Sequence, residues 1–138
     1  MAKPVGTHCI LELYGCSSAK LNNAVLLRQI LTQAAIECRS TLLEFIQHEF
    51  TPQGVTAVAL LAESHLSIHT WPEEQYAAVD VFTCGEKTEP KLACDYLALQ
   101  LGAKQKVLRI FPRGGSYEQQ VALPRPVIQE APLCPTLS

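Results

Sequence analysis

Two stretches near the middle of the chain alternate apolar and polar side chains residue by residue, and this period of two constrains the fold more than any other feature. His65 to Thr70 sets Leu66 and Ile68 against His65, Ser67 and His69, and Pro72 ends the run. Tyr76 to Cys84 sets Tyr76, Ala78, Asp80, Phe82 and Cys84 against Ala77, Val79, Val81 and Thr83. Successive side chains of an extended strand point to opposite faces, so both stretches read as strands. The few residues between them allow only a tight turn, which joins antiparallel neighbours, whereas parallel ones need a longer crossover.

The flanking segments extend the same sheet. Thr7 to Tyr14, Thr41 to Phe50, Val55 to Glu63 and Lys106 to Phe111 read as strands, with Pro52 and Gly54 marking a turn between the second and third. Leu43, Phe45 and Gln47 are expected on one face of the second strand, against Leu42, Glu44 and Ile46. From Leu21 to Cys38 the positions Leu21, Val25, Leu27, Ile30, Leu31, Ala34, Ala35 and Cys38 recur at helical spacing, with Ser17 or Ser18 as cap. Pro90 opens a second helix that closes at Gly102. Two helices on one face of an antiparallel sheet make a two-layer α+β sandwich. The bare face of that sheet needs a cover, and a second copy of the chain is the simplest one.

Composition sets limits on partners. Eleven basic and 13 acidic residues give a net charge of −2 with no basic run, which argues against nucleic acid as a partner. The longest nearly unbroken apolar run, Val55 to Ala62, is far shorter than the roughly 20 residues of a membrane span. The opening residues lack a signal-peptide core, so the expectation is a cytoplasmic chain. Cys9, Cys16, Cys38, Cys84, Cys94 and Cys134 are widely spaced and form no CxxC, so they read as reduced thiols rather than a disulfide framework. Five of the nine prolines fall within the last 27 residues. A compact domain of residues 1–112 followed by a flexible, proline-rich tail of residues 113–138 is therefore expected.

Several chemistries compete for the histidine-rich centre. Taken singly, a serine, histidine or cysteine on a strand is ordinarily packing. His65, His69 and Cys84 include metal-ligand types, but four residues of extended strand span about 13 Å, too far for both imidazoles to reach one ion, so no metal is expected. Ser64, His69 and Asp80 have the residue types of a hydrolase triad, yet no G-x-S-x-G elbow is present.

The string Glu63-Ser64-His65-Leu66-Ser67-Ile68-His69-Thr70-Trp71-Pro72-Glu73, followed by Tyr76 to Asp80 and Phe82-Thr83-Cys84-Gly85, resembles the bacterial S-adenosylmethionine decarboxylase proenzymes, which depend on a pyruvoyl group. Removing carbon dioxide from an α-amino acid needs an electron sink conjugated to the amine, often pyridoxal phosphate on a lysine. No lysine lies between Lys20 and Lys87. The resemblance implies a sink made from the chain itself. The Ser64 hydroxyl attacks the Glu63 carbonyl, the amide becomes an ester, and β-elimination leaves a β chain of residues 1–63 and an α chain of residues 64–138 that begins with the pyruvoyl group. His69 would take the Ser64 α-proton in that elimination. Cys84 would later protonate the substrate at Cα, since a thiol is largely protonated at neutral pH. Phe50, Trp71 and Glu73 suit adenine, sulfonium and ribose hydroxyls. Thr56 stands where bacterial members often carry a serine that assists processing; the hydroxyl is kept and the β-branch narrows its rotamers.

Ser64 and His69 are five residues apart and would face opposite sides of an unbroken strand, so a bend or strand end is expected at Glu63–Ser64. The resemblance implies conversion of S-adenosyl-L-methionine to S-adenosyl 3-(methylthio)propylamine and carbon dioxide, for spermidine synthesis. It also implies a homodimer of processed units, two α and two β chains in a four-layer αββα arrangement. Rival readings are a pyruvoyl-dependent arginine or ornithine decarboxylase of the same fold, and a regulatory subunit that does not process itself.

Overall fold

The computed structural model describes residues 3–124 and 127–132. Seven strands form one antiparallel sheet: β1 (Pro4–Tyr14), β2 (Leu42–Glu49), β3 (Val55–Leu61), β4 (Ser64–Trp71), β5 (Tyr76–Cys84), β6 (Gln105–Gly114) and β7 (Val127–Pro132). Their order across the sheet is β2-β3-β4-β5-β1-β6-β7. Helices α1 (Ser18–Leu21), α2 (Ala24–Glu37), α3 (Pro90–Gln100) and α4 (Tyr117–Ala122) join the strands, with a 3₁₀ turn at Pro72–Glu74. Among the described residues no helix is long and apolar enough to cross a membrane.

The expected alternation decides which face is buried. Leu66 and Ile68 of β4, Ala77, Val79 and Val81 of β5, Cys9, Leu11 and Leu13 of β1, and Ala57 and Ala59 of β3 pack beneath Leu27, Leu31, Ala34 and Leu97 of the helices. Small residues on β3 and β5 let α2 and α3 lie close to the sheet. This is the expected two-layer α+β sandwich. The other face stays open and carries His8, Glu12, Thr56, His65, Ser67, His69, Asp80 and Phe82. Ile46 and Leu60 stand exposed on it, at 68% and 48%.

Three local expectations need correction. The helix expected over residues 21–38 is two helices, because Asn22 and Asn23 interrupt it. Ser17 caps α1 with its side chain, and the Asn23 side chain accepts from the Leu26 amide (3.0 Å) to start α2. The break turns Val25 outward, 69% exposed, rather than into the apolar stripe. In β2 a register shift between Leu42 and Glu44 inserts an extra residue. Leu42 and Phe45 therefore pack on the core while Leu43 is exposed.

The third correction concerns the segment after Pro112. β6 continues to Gly114, α4 follows, and β7 pairs with β6 so that Arg109 stands opposite Ile128. Ser116 and Gln119 form a reciprocal capping box at the start of α4. Gln120 then ties the helix back to the carbonyls of Pro112 and Gly114 (3.2 and 2.7 Å). Prolines at 124 and 132 coexist with this order because the first lies just beyond the cap of α4 and the second at the end of β7. Residues 125–126 and 133–138 of the expected tail lie outside the described residues.

Candidate active site

β3 and β4 are joined by a two-residue hairpin, Ala62–Glu63, with Leu61 paired to Ser64. The expected strand end therefore lies immediately before Ser64. Two-residue hairpins match the twist of their strands when the loop residues have positive φ, as Asn-Gly does. Ala62 and Glu63 are not among the positive-φ residues; Ser64 is, with φ 146°. L side chains rarely adopt such a value, and strain of this kind gathers at functional sites.

Neighbouring segments bring further groups to this corner. Ser64 stands opposite Thr83 of β5, which sets Cys84 beside Glu63. The Cys84 amide donates to the Glu63 carbonyl oxygen at 2.8 Å. The Glu63 carboxylate accepts from the Thr41 amide (2.9 Å), and Ser64 Oγ lies 3.1 Å from Nδ1 of His65. The Cys84 side chain is exposed and lines a cleft of about 470 Å³ with Arg39, Glu63 and Gly85.

A second group of expected residues lies at the other end of β4. His69 Nδ1 is 2.9 Å from Thr56 Oγ1 on β3. Both line a cleft of about 300 Å³ together with Phe50, Trp71 and Glu73. The Trp71 ring lies 5.4 Å from that of Tyr76. Burial and the Glu12 carboxylate beside it push the Tyr76 phenol well above its usual range.

The residues expected to act together thus fall into two half-sites. Glu63, Ser64 and Cys84 meet at one end of β4; Thr56, His69, Phe50, Trp71 and Glu73 meet at the other. Five residues of strand separate Ser64 from His69, about 16 Å. Within one chain they do not touch. Between the two ends the open face carries a chain of polar contacts that sequence reasoning missed. Arg113 Nη1 donates to His8 Nδ1 (2.8 Å), and since a guanidinium only donates, His8 Nε2 bears the proton directed at Asp80 Oδ1 (2.8 Å). Pairing across β6, β1 and β5 creates it, and no spacing along the sequence signals it. Among the described residues no group of three His, Cys, Asp or Glu side chains is placed to hold a metal ion.

An α+β sandwich with an open polar sheet face, a strained serine at a hairpin corner and an amide on the preceding carbonyl defines the class of protein: a two-layer fold with a serine-centred site. The S-adenosylmethionine decarboxylase family model matches residues 7–114. The chain is 62% identical over 109 residues to the S-adenosylmethionine decarboxylase proenzyme of Prochlorococcus marinus (strain MIT 9313), covering 79% of this chain and 87% of that one. It is 48% identical over 110 residues to the proenzyme of the same name from Acetivibrio thermocellus, covering 80% and 89%. The crystal structure of the adenosylmethionine decarboxylase from Aquifex aeolicus VF5 superposes with a TM-score of 0.78 at 38% identity, covering 85% of this chain and 97% of that one. The chain belongs to the S-adenosylmethionine decarboxylase family.

Proposed function

We propose that the chain is a precursor that cuts itself between Glu63 and Ser64 and then decarboxylates S-adenosyl-L-methionine, giving S-adenosyl 3-(methylthio)propylamine, the aminopropyl donor for spermidine. The observation that carries this reading is the hairpin corner. A serine hydroxyl sits at a positive-φ residue, and the carbonyl it would attack already accepts from the Cys84 amide at 2.8 Å. An amide aimed at that oxygen stabilises the negative charge that develops there. The corner therefore fits formation of a pyruvoyl group from Ser64. Membership of the family favours S-adenosylmethionine over arginine or ornithine as substrate.

Once formed, the pyruvoyl group would supply the carbonyl that condenses with the substrate amine and draws electrons as carbon dioxide leaves. The remaining work falls to the chain. Cys84, exposed beside the corner, delivers a proton to the substrate Cα. Phe50 and Trp71 offer aromatic faces to adenine and sulfonium, and Glu73 accepts from ribose hydroxyls. During self-cleavage His69 takes the Ser64 α-proton, its ring held by Thr56. Strands β1 to β6 with α1 to α3 form the working domain in this reading, with the segment after Gly114 as an appendage. Cytoplasmic residence without nucleic acid or membrane partners belongs to the same reading.

The separation of the half-sites supports a homodimer. Two chains packed open face to open face, with their β4 strands antiparallel, would set Ser64 and Cys84 of one copy against Thr56, His69, Phe50, Trp71 and Glu73 of the other. Exposed Ile46 and Leu60 supply apolar area for that contact. The processed assembly is then two α and two β chains in four layers, αββα.

A denaturing gel combined with an assay of carbon dioxide release tests the whole reading. Fragments of 63 and 75 residues, with release from S-adenosylmethionine, are expected. A single uncut band points to a regulatory subunit, and cleavage with release only from arginine or ornithine points to the other decarboxylases.

A further inference from the structure

His65 has no part in the chemistry above, yet its ring touches the reacting atom. Adjacent side chains of a regular strand point to opposite faces. The positive φ of Ser64 breaks that alternation, and Oγ comes to 3.1 Å from His65 Nδ1. The ring is half-buried and held edge-on against Phe82 (centroids 6.1 Å apart, planes at 80°) and His8 (6.3 Å, 75°). His8 is in turn fixed between Arg113 and Asp80. Such a ring is positioned before reaction rather than recruited to it. A serine hydroxyl is a weak nucleophile until an adjacent base takes its proton, and His69 of the same chain lies about 16 Å along the strand.

We propose that His65 is the catalytic base of the first step of self-cleavage, a step upstream of the role given to His69. As Oγ of Ser64 bonds to the Glu63 carbonyl carbon, its proton passes to His65 Nδ1 and the carbonyl electrons move onto the oxygen that the Cys84 amide holds. The C–N bond between Glu63 and Ser64 then breaks, and the proton passes from His65 to the departing nitrogen. An ester and a free amine result, with the proton moved from oxygen to nitrogen overall.

This proposal rests on the self-processing reading, and the two fail differently. The full-length chain is synthesised in a cell-free system, and loss of precursor is followed on denaturing gels with and without hydroxylamine, which cleaves esters but not amides. Wild type should yield the 63- and 75-residue fragments; a wild-type chain that never cleaves removes the underlying reading. His65→Ala and His65→Gln should slow cleavage by roughly 100-fold or more, with hydroxylamine releasing nothing because no ester has formed. Added imidazole should partly restore His65→Ala. His69→Ala, blocked later, should accumulate an ester that hydroxylamine cuts. Circular dichroism matched to the uncleavable Ser64→Ala chain establishes folding, and His65→Gln serves if His65→Ala fails it. Cleavage of a folded His65 variant at close to the wild-type rate, or an ester accumulating in it, overturns the proposal.

Discussion

Thr56 Oγ1 lies 2.9 Å from Nδ1 of His69, and the two residues stand directly opposite each other across β3 and β4. Register alone creates the contact, which fixes the plane of the imidazole at the rim of the aromatic cleft. A hydrogen bond of this kind contributes about 0.5–1.5 kcal/mol. Thr56→Val should therefore slow self-cleavage by up to about tenfold, and Thr56→Ser should restore it. Precursor half-life on a denaturing gel reads the difference. Equal rates for all three chains would detach Thr56 from processing.

The two half-sites make a prediction about mixed dimers. Chains carrying Ser64→Ala and His69→Ala are each expected to stay uncut alone. Coexpressed, they form dimers in which one of the two composite sites has both an intact Ser64 and an intact His69. The His69→Ala chain should then be cut, visible by mass spectrometry as its own fragments. No rescue would place the working site within one chain.

In the proposed mechanism Cys84 serves decarboxylation through its thiol but self-cleavage through its backbone amide, which donates to the Glu63 carbonyl. Cys84→Ala keeps the amide. Cleavage should survive largely intact while carbon dioxide release falls by at least about 100-fold. A parallel loss of both would contradict the division of roles.

The thiols should differ sharply in reactivity. Burial pushes the Cys16 thiol up to about 11, so at pH 8 it is almost wholly protonated and hidden, and only toward pH 11 does its thiolate become abundant. Cys84 is exposed. Iodoacetamide at pH 8 should alkylate Cys84 well before Cys16 in the folded chain, as peptide mapping would record; the reverse order would contradict the packing of Cys16.

Gly6 is required for space. A Cβ there would run into the Thr83 carbonyl oxygen and come to 3.0 Å from Cys84 Cα, both backbone atoms that cannot swing aside. Gly6→Ala should destabilise the fold by about 1–3 kcal/mol and move the strand that carries Cys84. A thermal melt together with the cleavage rate tests both effects.

Much of the fold was legible because a sheet with one buried face imposes its period on the sequence. β5 runs from Tyr76 to Cys84, as alternation predicts, and β4 differs only at its ends. Where a local device breaks the period, sequence reading fails. The extra residue near Leu43 and the Asn22–Asn23 break are such devices, as is the positive φ at Ser64. The helix after residue 116 carried its own signal, a serine followed three residues later by glutamine, but the nearby prolines outweighed it. The string around Ser64 carried the resemblance to the family that the chain belongs to. It could not reveal that Cys84 and Thr56 gather at opposite ends of β4, or that His65 meets the hydroxyl, because both follow from register and one backbone torsion.

The strand order has a consequence for the life of the molecule. A cut between Glu63 and Ser64 leaves β1, β2 and β3 in one fragment and β4 to β7 in the other, with β1 held between β5 and β6. Three ladders, β3–β4, β5–β1 and β1–β6, then join separate chains, and the cut itself falls in a hairpin that breaks none of them. Folding happens once, as a first-order event within a single polypeptide. Recovery after denaturation would be a second-order search between strangers, slower at every dilution, so a processed molecule that melts has in practice left the pool of active enzyme.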